Sequence, residues 1–456
     1  MPVPMSVRRS LTGWGLTNAT VAEVLEVPAH EVRAAVKEAG PRGALVRGLG
    51  RSYGDAAQNS GGLVLRLMGA AHQAVLDASA ATVDVPAGVS LDDLLRVIVP
   101  RGFFVPVTPG TRFVTIGGAV ASDIHGKNHH VDGSLGNHIE SLTLLLADGQ
   151  TVTVGPTERS DLFWATIGGM GLTGVILDVR LRLLPIETSR MSVDTTRIGD
   201  LDGLFAAMSS PEDNVRYSVA WIDPVARGRH LGRSVLSRGE HATLEQLGAK
   251  ERINPCAFEP RHLASVPPIV PSPGFINRAT VAAFNEVWFR KSPKHRTGEL
   301  QSIAMFFHPL DMVGSWNRLY GSRGMVQYQF VVPFGEEETM RAVIERLSAG
   351  GAPSFLSVLK RFGPGNPAPL SFPAAGWTLA VDVPGRTRDL GDLLHSLDRL
   401  VLDAGGRHYF TKDAHTTPDA IRRGYPRLDE WKAVRDSVDP HGVWQSDLSR
   451  RLGLTD

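Results

Sequence analysis

Three stretches of the chain set glycine beside small polar side chains, and the second is also rich in histidine. Arg47-Gly-Leu-Gly-Arg-Ser-Tyr-Gly-Asp follows strand-forming residues, so successive backbone N–H groups could converge there on an anion. By itself this loop reads equally as a plain turn or a phosphate cradle. Its spacing is not the G-x-G-x-x-G of dinucleotide binding, and no P-loop G-K-[ST] occurs in the chain. Pro109-Gly-Thr-Arg-Phe-Val-Thr-Ile-Gly-Gly-Ala-Val-Ala-Ser-Asp-Ile-His-Gly-Lys-Asn-His-His and Ile167-Gly-Gly-Met-Gly-Leu-Thr-Gly-Val-Ile would let bare backbone pack against a flat ring system. The cluster His125, His129, His130 and His138 admits another chemistry, that of a metal hydrolase. His125 and His129 stand four apart, but Gly126 and Asn128 between them disfavour a helix, and no H-E-x-x-H accompanies them. No metal site is therefore expected. Lys360, in Ser357-Val-Leu-Lys-Arg-Phe-Gly, and Lys412, in Tyr409-Phe-Thr-Lys-Asp, would in isolation be solvated surface charges.

Elements must position these groups. The 456 residues suffice for about two or three domains at ~150 residues each, and 42% hydrophobic against 21% charged residues is a globular balance. Glycine is in excess, 48 in all, as close backbone approaches require. Charges nearly cancel, with 48 Lys and Arg against 47 Asp and Glu, which leaves no basic field for nucleic acid. The single cysteine, Cys256, excludes an intramolecular disulfide. Arg8-Arg9 resembles a twin-arginine leader but Leu-Thr-Gly-Trp-Gly-Leu-Thr-Asn follows, which is no apolar h-region. A soluble or peripheral protein without a transmembrane segment is expected. Helical spacing over residues 29–40 ends at Gly40, an expected C-cap. A short strand running into a glycine turn is predicted over 44–50, further strands near 63–67, 81–85 and 151–154, and helices near 91–99 and 161–166. Past Pro185 the pattern changes: strands near 217–223 and 326–333, Pro-rich loops over 254–274, and amphipathic helices over 337–349 and 387–404. The expected class is α+β, with two domains.

In order and spacing, the three glycine stretches resemble the FAD-binding domain of the vanillyl alcohol oxidase and p-cresol methylhydroxylase (VAO/PCMH) superfamily. Within it the chain resembles most the actinobacterial decaprenylphosphoryl-β-D-ribose 2′-oxidase branch. That likeness runs from Leu11-Thr-Gly-Trp-Gly to Ser446-Asp-Leu-Ser-Arg-Arg-Leu and includes Asp123-Ile-His-Gly-Lys-Asn-His-His, Phe307-His-Pro-Leu-Asp-Met, Gln327-Tyr-Gln-Phe and Thr411-Lys-Asp. It implies an FAD-binding domain over residues 1–188, a substrate domain built on an antiparallel sheet over 189–405, and a C-terminal segment, 406–456, returning to the FAD domain. Positions matching the family's FAD contacts are Gly48, Gly50, Arg51, Ser52, Tyr53 and Gly54; Gly110, Thr115, Gly117, Gly118, Ser122, Asp123, Ile124 and His125; then Ile176 and Tyr409. Noncovalent FAD is implied, although relatives elsewhere in the superfamily bond it through a histidine in this region. Lys412 matches a lysine at flavin and substrate and Lys360 a second active-site lysine, while Tyr53, Lys127, Trp221, Gln327, Gln329 and Ala380 match pocket positions.

The implied reaction oxidises the ribose C2′ hydroxyl of decaprenylphosphoryl-β-D-ribose to the ketone, the first half of epimerisation to the arabinose donor of cell-wall arabinan. A cation near the flavin would support its reduced ring. A separate short-chain NAD(P)H-dependent reductase would complete the epimerisation, and the lipid substrate implies work at a membrane surface, with Pro-rich loops near 254–298 covering its tail. The alternatives are an aldonolactone or alditol oxidase of the same superfamily, or a catalytically silent flavin-binding protein. The chain departs from its branch at Ala380, where many relatives carry the cysteine attacked by nitroaromatic inhibitors, so covalent trapping there is not expected. Thr378, Phe307 and Val219 replace an asparagine, a tyrosine and a serine.

Overall fold

A computed structural model describes residues 6–210 and 215–455; the first five residues of the leader-like start lie outside them. The N-terminal part carries two sheets. In the first, Val7–Leu11, Thr20–Pro28, Leu63–Met68 and Ala44–Val46 lie side by side in that order, the last three strands parallel. The second is antiparallel, in the order Val75–Asp77, Thr82–Pro86, Val175–Arg182, Ile139–Leu145 and Thr151–Val154. The helix Leu91–Ile98 starts at Ser90, whose side chain accepts from the Asp93 N–H, and sinks Leu91, Leu94, Leu95 and Ile98 into the core with Val83 and Val85, the spacing of one helical face.

From Arg190 onward an eight-stranded antiparallel sheet dominates. Its order is His295–Ser302, Arg190–Ile198, Ser234–His241, Tyr217–Ile222, Ser357–Phe362, Gly376–Pro384, Met325–Val332 and Arg407–His408. Side chains alternate across each strand, and here the alternation separates core from site. Tyr328, Phe330 and Val332 pack with Leu379, Val381 and Val383 on one face, beneath the helices Leu201–Ser209, Glu337–Ala349 and Leu390–Asp403. Met340, Val343, Ile344 and Leu347 form the inward stripe of the middle helix. The intervening residues Gln327, Gln329, Thr378, Ala380 and Asp382 belong to the opposite face.

The last fifty residues cross back. Trp444 is buried with Leu25, Val27 and Leu65 of the first sheet, Trp431 Nε1 donates to Ala165 O at 2.9 Å, and the Arg451 guanidinium joins Asp55 (2.7 Å) to Asp413 (2.8 Å).

Three expectations are corrected. The helix predicted over residues 29–40 is a 3₁₀ turn, Ala29–Glu31, followed by Val32–Lys37, and it ends on Glu38 in right-handed conformation. Gly40 is not its cap. The left-handed residue is Gly43, at φ 66°, where a Cβ would lie 2.4 Å from Val443 O of the returning segment. Residues 254–298 are not all loop: Arg278–Lys291 is a helix and His295–Ser302 an edge strand. The helix predicted from residue 387 begins at Leu390, because Asp389 is left-handed at φ 49°. Among the described residues no helix is long and apolar enough to cross a membrane.

Candidate active site

A cavity of about 720 Å³ lies between the glycine stretches and the free face of the large sheet. Its upper wall begins with residues 47–57. Arg47 holds this loop from behind, donating to Ala57 O (2.6 Å) and Thr12 O (2.7 Å). Gly50 sits against that guanidinium at φ 64°, where a Cβ would lie 2.4 Å from Arg47 Nη2. The Arg51 guanidinium stacks 4.2 Å from the Trp14 ring centre. The next wall is the helix Ile116–Ala121, capped by Thr115, whose Oγ1 accepts from the Gly118 N–H at 3.2 Å. Gly48 packs on that cap so closely that a Cβ would be 2.3 Å from Thr115 Oγ1. Tyr409 closes this side, its hydroxyl donating to Ser122 O at 2.8 Å.

The floor is the sheet. Trp221, Lys360, Ala380, Gln327 and Gln329 come from four adjacent strands and all reach the cavity, the register placing Gln329 opposite Ala380 and Gln327 opposite Asp382. Gln327 Nε2 donates to the Tyr53 hydroxyl (3.1 Å) and to Asp382 Oδ1 (2.5 Å). Gln329 Nε2 meets His125 Nε2 at 3.0 Å, and Trp221 Nε1 donates to Phe355 O at 3.0 Å. Lys412 Nζ lies 3.9 Å from the centre of the Tyr53 ring. Lys127 Nζ donates to Phe306 O and lies 4.0 Å from that ring's centre.

Three half-buried ammonium groups on one cavity wall are costly, because burial disfavours charge and like charges repel. Burial brings Lys360 down to about 8; burial and then Lys360 bring Lys127 down to about 7. Burial also lowers Lys412, partly restored by the Asp382 carboxylate and opposed by Lys360. Asp382 is itself raised by burial, against the Gln327 hydrogen bond and Lys412. His125, fully enclosed, falls well below the usual histidine range through burial and then the neighbouring cations, so its ring is neutral.

Not every residue named from the sequence is on the cavity wall. Gly54 lies behind it, where a Cβ would fall 2.0 Å from Asp413 O, and Gly117 packs on Ala87. Ile176 is core. Asp123, at φ 39°, turns its carboxylate to Ser134, Gly136, Asn366 and Ser371 and ties the helix end to a distant loop. The four histidines do not converge: His129 Nδ1 accepts from Gly363 N–H (3.2 Å), and His130 and His138 meet the carbonyls of Val215 (2.9 Å) and Asp132 (2.8 Å). Thr378 spends its hydroxyl on Phe330 O at 2.8 Å. Phe307 and Val219 line the cavity and offer it no hydrogen bond. Sequence reasoning missed Asp382, although Thr378, Ala380 and Asp382 follow the period of two that places them on one strand face. It also missed the aromatic rim of Trp14, Trp288 and Trp316.

The cavity fits FAD on observations of this structure. Gly110 is on its wall, and a Cβ there would meet nothing within 4 Å, so bare backbone faces open space. The wall carries Arg51, Lys127, Lys360 and Lys412 against one carboxylate, Asp311, the balance a pyrophosphate-bearing ligand needs.

Residues 27–155 match the FAD binding domain family and residues 386–452 the D-arabinono-1,4-lactone oxidase family. Decaprenylphosphoryl-beta-D-ribose oxidase of Mycolicibacterium smegmatis is 47% identical over 457 residues, covering 99% of this chain and 98% of that protein. An uncharacterized protein from the mprA 5′ region of Streptomyces coelicolor is 38% identical, over 80% of this chain and all of its own length. An alditol oxidase of a Streptomyces species is 29% identical over 49% of this chain and 54% of its own.

Proposed function

The chain belongs to the decaprenylphosphoryl-β-D-ribose oxidase family of FAD-dependent oxidoreductases, and from that premise we propose that it oxidises the C2′ hydroxyl of a polyprenylphosphoryl ribose to the ketone. The observation that carries this is three half-buried lysines, Lys127, Lys360 and Lys412, on the wall of the cavity that the glycine stretches also line. Bound FAD would supply the two-electron acceptor. The protein's own part is to hold the sugar, remove the hydroxyl proton and tolerate charge.

Lys412 orients the ribose hydroxyl beside Tyr53 and balances negative charge at the flavin end, as a fixed cation does in a water-poor site. Lys360 assists binding and proton removal: with its pKa brought down to about 8, a usable fraction is free amine near neutral pH, the condition for a general base. Lys127 adds a third amine to the wall, and a bound substrate phosphate would hold it in its charged form. Gln327 and Gln329, fixed by Asp382 and His125, present amide groups to the sugar. Ala380 leaves room and no nucleophile, so relatives' thiol chemistry is not expected at this position.

The ketone would pass to a separate short-chain NAD(P)H-dependent reductase, and the lipid substrate would bring the protein to a membrane surface of the cell envelope. The C-terminal match and the alditol oxidase relative support a second reading, oxidation of a soluble alditol or aldonolactone. The test is the visible spectrum of the anaerobic flavoprotein before and after a short-chain prenylphosphoryl ribose is added. Bleaching of the flavin bands is the expected result. Bleaching by xylitol or gulonolactone alone would overturn the substrate in favour of the second reading.

A further inference from the structure

Half of the sixteen exposed large apolar side chains among the described residues fall between 253 and 305. They include three of the four exposed aromatic rings, Phe275, Phe284 and Trp288. Phe284, Val287 and Trp288 stand at i, i+3 and i+4 of the helix Arg278–Lys291, so they form one outward stripe. The adjoining face is anchored. Val281 and Asn285 are buried, and Asn285 Nδ2 donates to Asp223 Oδ1 (2.7 Å) and Ser354 O (3.2 Å). A helix pinned this firmly presents its apolar stripe to solvent by construction, and a contiguous exposed apolar face marks an interaction surface.

The stripe is continuous with the site. Phe284 stacks on Trp288 at 6.3 Å and 9°, and meets Phe355 edge-on at 5.9 Å. Phe355 meets Trp316 at 6.3 Å, which meets Trp14 at 5.9 Å; Trp14, Trp288 and Trp316 all line the cavity. Charge identifies what covers the stripe. Residues 278–299 carry five Arg and Lys against two Glu, in a chain whose net charge is only +1. Lys291 lies on the stripe's next turn, and Lys294 and Arg296 follow it, all exposed. Aromatic rings bordered by cations are the composition of an interfacial helix on anionic lipid. A two-fold contact between copies would instead set this cationic patch against itself.

We propose that the helix Arg278–Lys291, with Phe275 before it and the cations after it, docks on an anionic lipid bilayer and sets the cavity mouth against the leaflet. This rests on the lipid-linked substrate proposed above, since docking then lets the sugar phosphate enter while its chain stays in lipid. The test uses the FAD-loaded full chain and a triple variant, Val287→Asp, Lys291→Glu and Lys294→Glu, none of which lines the cavity. Wild type floats with phosphatidylglycerol-containing vesicles, less so with phosphatidylcholine alone or at high salt. The variant's partitioning falls by at least about tenfold. Both forms reduce their flavin equally fast with a short-chain, water-soluble prenylphosphoryl ribose. Wild type that ignores anionic vesicles, or a variant that binds them equally, overturns docking. A dimer seen by sedimentation velocity that the variant splits also overturns it and assigns the face to a second copy. Vesicle binding without bleaching by the short-chain substrate would leave docking standing and overturn the substrate reading instead.

Discussion

A single carboxylate governs the charge state of the proposed catalytic lysine. Asp382 reaches Tyr53 through Gln327, and its charge raises Lys412 against burial. Replacing it with asparagine keeps the shape and a hydrogen-bond partner for Gln327 but removes the charge. Without it, burial and Lys360 act on Lys412 unopposed, so the ammonium form is lost at lower pH. An opposite charge nearby is worth about 1–3 pH units. The alkaline limb of substrate-driven flavin reduction in Asp382→Asn is therefore expected to move acidward by about that amount, with FAD still bound. Stopped-flow reduction across pH 6–9 measures it, and an unmoved limb would remove Asp382 from the argument. The same carboxylate shows the limit of reading residues singly. Lys412 and Lys360 were legible only through the motifs around them, whereas Asp382, buried on the same strand face as Ala380, carried a spacing signal that was passed over. Asp123 shows the opposite error: it lies in the right motif, but its side chain serves the fold.

At the scale of elements, glycines in the site divide into those that face open space and those that let two segments touch. Gly54 is of the second kind. A Cβ there would fall 2.0 Å from Asp413 O, next to Lys412, while the neighbouring Tyr53 N–H donates to Thr411 O at 2.8 Å. Gly54→Ala must therefore push the returning segment off the loop, at a cost of about 1–3 kcal/mol for overpacking. Reduced flavin content on purification and a lower Tm are expected. Gly40→Ala is the control, since its Cβ would meet nothing within 4 Å; equal behaviour of the two variants would refute the argument. Elements with strong periodicity were legible: Glu337–Ala349 is found as predicted, and Met325–Val332 within a residue or so. One element that was not legible lacked an inward period. The helix Arg278–Lys291 turns Phe284, Val287 and Trp288 to solvent and buries an asparagine, so its pattern reads as loop. Arg190–Ile198 pairs on both sides within the sheet and does alternate inward Met191, Val193 and Thr195 with polar residues, a period of two that was overlooked.

For the whole molecule, near-neutrality conceals segregation: cations gather at the cavity while the surface balances them. Lys127 and Lys360, at about 7 and about 8, sit below the ~10.4 of an unfolded lysine. Between those limits the unfolded chain binds more protons than the folded one, so stability rises with pH. Below the folded values both states are protonated and the full burial penalty remains; above ~10.4 neither is. Tyr53, Tyr320 and Tyr328, raised by burial, reverse the trend only above about pH 10, where unfolded tyrosines ionise. Each lysine adds at most about 1.4 kcal/mol per pH unit. The FAD-free protein is therefore expected to gain stability to urea from pH 7 to 9.5, and Lys360→Met to flatten that rise. Lys127→Met should flatten it too, with Phe306 O left without its donor. Urea midpoints at four pH values for the three proteins decide the matter. A wild-type curve that falls over this range, or a slope unchanged in both variants, would mean that the lysines are not buried as cations in one cavity, and the charge argument for an anionic sugar phosphate would fall with it.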